Sequence, residues 1–247
     1  MPKQISVGND VFVPATRLET TVQPPYAVVR VRVAATDQRS ATVESPYHNG
    51  GQIVAKTFLQ ENVGVLIIKI GDLETETTLL DPLAATLSHF FRLLLPDDQL
   101  RSFSIRTADE LYDIYSRHSA PYTHIIIVGH AGGSNINFAL NHQESSLQLV
   151  QRFQALSSVP HEFVTLCCHS GEAAFAKPFS ASPICSNLIA PFGPLHGAAA
   201  AQFAEALFAF HFLDGLTWKI AFNRARKNVS GGSPFRIWHQ GNFEGRA

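Results

Sequence analysis

Charge is scarce in this chain. Asp, Glu, Lys and Arg make up 16% of its 247 residues, and the formal net charge is -1. With no basic excess, a nucleic-acid surface is not expected. Arg224, Arg226 and Lys227 read instead as a solvated helix end that complements the helix dipole. Cysteine is limited to Cys167, Cys168 and Cys185. Three thiols, two of them adjacent, make no disulfide framework and fit a reducing cytoplasm. Apolar runs stop short of the ~18 residues of a membrane span, and Met1-Pro2-Lys3-Gln4 leads into no apolar signal segment. The expectation is a cytoplasmic protein with no membrane contact.

Familiar motifs are missing as well. The chain has no G-x-S-x-G elbow of a serine hydrolase, no P-loop, and no G-x-G-x-x-G after a strand. His169 with Cys167, Cys168, His130 and His161 would be a zinc set by composition, but paired C-x-x-C or H-x-x-H spacing is absent. Neither a metal nor another cofactor is expected.

What is present is apolar: 45% of residues are hydrophobic, enough for a packed core in one substantial α/β domain with an elaboration, or in two small domains. Residues 1–58 are rich in Val, Thr and Pro, and Val29-Arg30-Val31-Arg32-Val33 alternates strictly, as in a strand with one wet face. This β-rich lead-in either extends the main sheet or forms a separate layer. Over 59–247 the pattern becomes strand and helix in turn. Strands are expected over 63–70, 102–106, 123–128, 162–168, 186–190 and 235–238. Helices are expected from Asp81-Pro82 to Leu95 with Asp81 as the cap, after Thr107 with its capping-box Glu110, from Ser145 or Ser146 to Leu156, from Gly197 to Leu213, and from Leu216 to Lys227. Asn135 to Leu140 reads as a short strand or hairpin arm. Such alternation predicts an α/β fold, a mostly parallel sheet with helices on both faces.

Chemistry is expected where apolar strands end in polar, glycine-containing turns, because the C-terminal ends of parallel strands form the binding crevice. His124 to Val128 ends at Gly129-His130-Ala131-Gly132-Gly133, and His161 to Cys168 ends at His169-Ser170-Gly171-Glu172. A thiol and an imidazole meeting there suggest a cysteine nucleophile with a histidine base. The plainer role of a cysteine is core packing, and that is the reading for Cys167. Cys168, last before the turn, is the expected nucleophile and His130 the base. The backbone N–H of Ala131 or Gly132, together with that of Cys168, is suited to an oxyanion hole, since glycines let the backbone approach closely.

Cys167-Cys168-His169-Ser170-Gly171 resembles the cysteine box of metacaspases, in the caspase-like clan of cysteine peptidases, where the second cysteine is the nucleophile. The downstream region resembles the CHAT domains, bacterial caspase-like relatives: an apolar strand with a late proline (Asn187 to Pro194), an alanine-rich helix (Ala198 to Gly215) and an amphipathic helix (Trp218 to Arg226). The resemblance spans roughly residues 60–230. It implies a caspase-like fold over 59–247 and cleavage of a protein or peptide substrate by His130 and Cys168, with Gly132 and Cys168 supplying oxyanion donors. CHAT-type peptidases often act as effectors in bacteria, including antiviral defence, so the resemblance also implies an activating protein partner.

Two departures stand out. Ala131 replaces the glycine that usually follows the family's histidine. Leu166 replaces the aspartate by which metacaspases bind a basic side chain, so an apolar or small residue at the cleavage site is possible, or Glu172 or Asp72 supplies the charge. The segment from Gly171 to Pro183 is short for a self-cleavage loop. A silent caspase-like interaction module is the alternative, and a non-proteolytic hydrolase or acyltransferase would use the same dyad.

Overall fold

The computed structural model describes residues 5–72, 74–229 and 234–244. Strands β1 (Asp10–Pro14), β2 (Val28–Thr36), β3 (Ser40–Glu44) and β4 (Gly51–Ala55) pair antiparallel in that order as a separate sheet, which does not extend the main one. Its strict alternation buries Val29, Val31 and Val33 with Val11, Val13 and Val43, while Arg30 and Arg32 stay in water. Phe12 and Val28 join the neighbouring core. Thr16 and Arg17 donate to the Leu213 and Asp214 carbonyls at 3.2 and 3.4 Å.

The chain continues through β5 (Val65–Ile70), α1 (Asp81–Leu94), β6 (Leu100–Ile105), α2 (Ala108–His118) and β7 (His124–Val128). A small antiparallel sheet follows, of β8 (His130–Gly132), β9 (Asn135–Asn137) and β10 (Gln143–Ser145). Then come α3 (Ser146–Leu156), β11 (His161–Thr165), α4 (Ala173–Ser180), β12 (Cys185–Pro191), α5 (Gly197–Phe212), α6 (Trp218–Asn228), β13 (Phe235–His239) and β14 (Asn242–Phe243). The main sheet has the order β14-β13-β12-β11-β7-β5-β6. Strands β12, β11, β7, β5 and β6 are parallel, and β13 and β14 complete one edge antiparallel.

Local signals explain most boundaries. Thr107 with Glu110, and Ser145 with Gln148, form complete capping boxes at α2 and α3. Three expectations need correction. Asp81 does not cap α1: a π-helical turn, Glu76–Leu80, precedes it, and the Asp81 carboxylate pairs instead with the buried Lys69 ammonium. Strand β11 ends at Thr165, so Cys168 lies in the turn rather than in the strand. The short stretch after Gly171 holds a helix, α4, with Pro178 inside it.

Alternation along the parallel strands divides the core in two. Val65, Ile67, Ile126, Val128, Val164 and Leu166 pack under α1, α5 and α6. Leu66, Ile68, Ile125, Ile127, Phe163 and Cys167 pack under α2, α3 and α4. In the first half, Phe208 is fully buried edge-on to Phe91, with centroids 4.8 Å apart, and against Trp218 at 5.3 Å. Phe208→Ala is expected to cost about 3–5 kcal/mol in urea unfolding.

Glu162 is placed at the opposite end of β11 from the cysteines. Burial pushes its carboxyl up to about 7, although Asn187 donates to both oxygens at 2.9 and 3.2 Å. Between pH 4.5 and 7 the folded state therefore holds more proton than the unfolded one, and stability falls as pH rises through that window. Glu162→Gln is expected to flatten this slope and to raise stability at pH 8 by about 2–3 kcal/mol, read from urea midpoints at pH 5 and 8.

Candidate active site

Three neighbouring strands, β5, β7 and β11, end side by side. Thr165 pairs with Ile127, and the Leu166 N–H donates to the Ile127 carbonyl at 2.8 Å, so the parallel register persists beyond the last strand residue. Counted on in that register, Cys167 corresponds to Gly129 and Cys168 to His130, although both lie past the last residues of β11 and β7. A Cβ placed on Gly129 would lie 3.7 Å from the Cys167 sulfur, which fits that alignment. Val128 and Leu166 both pack on the α1, α5 and α6 side, and Cys168 meets Leu195 of that same core.

The three thiols have different surroundings. Cys167 and Cys185 are buried, and burial pushes both thiols up, far from the thiolate. Cys168 is half-buried, and its sulfur accepts from the Leu195 N–H at 3.3 Å. Among the described residues no hydrogen bond joins that sulfur to the His130 ring.

The turn around Cys168 is clamped on several sides. The buried Ser170 hydroxyl donates to the Cys167 carbonyl at 2.6 Å and accepts from Thr165. The Gly171 N–H donates to the Pro191 carbonyl at 2.6 Å, the His169 N–H to that of Gly193 at 3.2 Å, and the Trp238 indole to that of Gly171 at 3.2 Å. His169 sits at φ 63°, a left-handed conformation that costs a residue with a side chain about 1 kcal/mol. Its ring is held by Glu172, Nδ1 to Oε1 at 2.7 Å.

His130 opens β8 and is about one-third exposed. Its Nε2 lies 2.7 Å from the Thr75 hydroxyl and 3.1 Å from Asp72 Oδ2. Burial pushes the Asp72 carboxyl up, but the Thr75 and Glu74 N–H groups and the Thr75 hydroxyl outweigh it and hold the group below its ordinary value. Glu76, held low by hydrogen bonds from Lys69 and Arg106, anchors the turn that follows. A cavity of about 480 Å³ opens beside His130, lined by Asp72, Thr75, Phe138 and Leu140 among others; Cys168 does not line it.

The remaining predicted residues divide. Gly132 is exposed, with nothing within 4 Å of a Cβ, so the backbone there is open to an approaching group. Ala131 is partly buried against the α2, α3 and α4 core. Leu166, expected at the substrate, is 5% exposed and packs in the core. Glu172 and Asp72, considered as charge partners for a basic substrate, each face an imidazole instead.

The pairing of Asp72 and Thr75 with His130 was not anticipated. A signal for it exists: Ile70-Gly71-Asp72 repeats the pattern of Val128-Gly129-His130, an apolar strand, a glycine and a polar side chain, on the adjacent strand.

Among the described residues no group of three or more His, Cys, Asp and Glu is placed to hold a metal ion, and no helix is long and apolar enough to cross a membrane. No family model matches the chain, and no curated protein matches it. Among solved structures the chain is similar to drICE, with a TM-score of 0.45 and 13% identity, over 73% of this chain and 88% of drICE.

Gly171 has no room for a side chain. A Cβ would press into the Ala190 carbonyl oxygen and come within 2.8 Å of the Pro191 carbonyl carbon. Gly171→Ala is expected to cost about 1–3 kcal/mol or more and to change the rate of Cys168 alkylation by iodoacetamide.

Proposed function

We propose that the protein is a caspase-like cysteine peptidase whose nucleophile is Cys168 and whose base is His130. The observation that supports this reading is the parallel register of β7 and β11: their last pair is Ile127 with Thr165, and His130 and Cys168 each follow that pair by three residues, past adjacent strand ends. His130 takes the proton from the Cys168 thiol, and the thiolate attacks a peptide carbonyl. The Cys168 N–H and that of Gly132 or Ala131 stabilise the oxyanion. His130 returns the proton to the leaving amine, and water, deprotonated by the same ring, hydrolyses the thioester. The resemblance of the cysteine box to metacaspases and of the downstream region to CHAT domains supports a peptidase that a protein partner switches on, in a bacterial effector or antiviral role.

One observation favours a second reading, a silent interaction module: the Cys168 sulfur is engaged by Leu195 and not by His130. Alkylation separates the two. A competent Cys168 reacts with iodoacetamide far faster than Cys167 and Cys185, in a pH-dependent way, and equal slow labelling of all three supports the module. Cleavage of a peptide library is expected to be lost in Cys168→Ala and His130→Ala and largely kept in Cys167→Ala. Cleavage surviving in Cys168→Ala would end the assignment.

A further inference from the structure

We propose that Asp72 and Thr75 are positioning residues that fix the tautomer of His130, leaving Nδ1 as its proton acceptor. The inference rests on the reading of His130 as the base, and it follows from counting hydrogens. The Thr75 hydroxyl carries one hydrogen, and it points to Asp72 Oδ2 at 2.9 Å. Its oxygen, 2.7 Å from His130 Nε2, is left to accept. Asp72 Oδ2, 3.1 Å from the same nitrogen, belongs to a carboxylate and also only accepts. Both partners therefore require a hydrogen on Nε2. A neutral ring with Nε2–H has its lone pair on Nδ1, and Nδ1 has no hydrogen-bond partner among the described residues.

The support is held in turn. Asp72 Oδ1 accepts from the backbone N–H groups of Thr75 at 2.6 Å and Glu74 at 3.0 Å, so one oxygen shapes the loop and the other faces the ring. Glu76, next to Thr75, is bound to the Lys69 ammonium at 2.8 Å and the Arg106 guanidinium at 2.7 Å. Asp72 lies two residues beyond β5, as His130 lies two beyond β7, and Lys69 pairs with Val128. Orienting carboxylate, base and nucleophile thus come from β5, β7 and β11, adjacent in the sheet. Glu74 also lines the cavity beside His130.

Asp72→Asn separates the two oxygens' tasks. Asparagine keeps an acceptor for the loop N–H groups but turns an NH2 toward the ring, which favours a lone pair on Nε2 and a hydrogen on Nδ1. Long-range 1H–15N NMR of histidine-labelled protein, with His130 assigned by its loss in His130→Ala, reads the tautomer directly. Nε2–H is expected in the native chain and in Thr75→Ser, and Nδ1–H gains population in Asp72→Asn and Thr75→Val. The alkylation rate of Cys168 at neutral pH should fall about 10- to 100-fold in the last two, a part of what a positioned base contributes, with its pH profile altered and the melting temperature nearly kept.

A native ring with hydrogen on Nδ1 overturns the inference, as does an unchanged tautomer in both Asp72→Asn and Thr75→Val. If His130→Ala slows alkylation while those variants do not, the dyad stands and the positioning role falls. If His130→Ala leaves alkylation untouched, the peptidase reading itself fails, whatever the tautomer.

Discussion

Parallel pairing of β7 with β5 on one side and β11 on the other governs which residues this chain gathers at one rim of its sheet. Neighbouring strands in a sheet lie about 4.8 Å apart, so residues at equal register are within reach of one another's side chains. The strands are buried on both faces, under α1, α5 and α6 and under α2, α3 and α4, which prevents sliding, since a one-residue slip would exchange the two cores. Asp72, His130 and Cys168 each follow one of these three strand ends by two or three residues.

The difference in burial between the two adjacent thiols follows from one residue of displacement. Cys167 continues the inward alternation and is fully buried, whereas Cys168 falls past it, where the chain has turned. The turn is tight because Gly171 lies against the backbone of β12 and because Ser170 uses its hydroxyl inside the turn rather than toward water. On the other flank, Lys69 is buried with its ammonium between Glu76 and Asp81. Burial alone would pull it toward neutrality, but the two carboxylates reverse this and raise it above its ordinary value. Removing either carboxylate would leave a buried cation short of a partner, so this cluster ties the loop bearing Thr75 to the sheet.

Much of this was legible in the sequence. The mostly parallel sheet with helices on both faces, the capping box at Thr107 and the β-rich character of the start follow from periodicity and from short-range hydrogen bonding, both of which act within a few residues; that the start forms a separate sheet was left open. His130 and Cys168 were legible as polar residues after apolar runs. The end of β11 at Thr165 was not, because Leu166 and Cys167 remain buried and read as strand although the strand has ended and Leu166 keeps only its bond to the Ile127 carbonyl. Helix α4 was hidden by Pro178 and by its brevity. The link from Asp72 to His130 spans 58 positions and arises from strand order, which local pattern does not encode. Leu166 was assigned to a substrate by analogy of position, while the structure covers it.

The chain has only two tryptophans, and the fold places them in contrasting company. Trp218 packs 5.1 Å from both His124 and His211, by the start of β7. Trp238 is buried and hydrogen-bonded to the Gly171 carbonyl, three residues from Cys168. The first indole is enclosed by rings of the core, and the second is tied through its N–H to the turn that bears Cys168. The native protein thus contains its own optical reporter of the cysteine turn, one that brightens, dims or shifts in colour when a substrate or partner disturbs that turn, with no label attached.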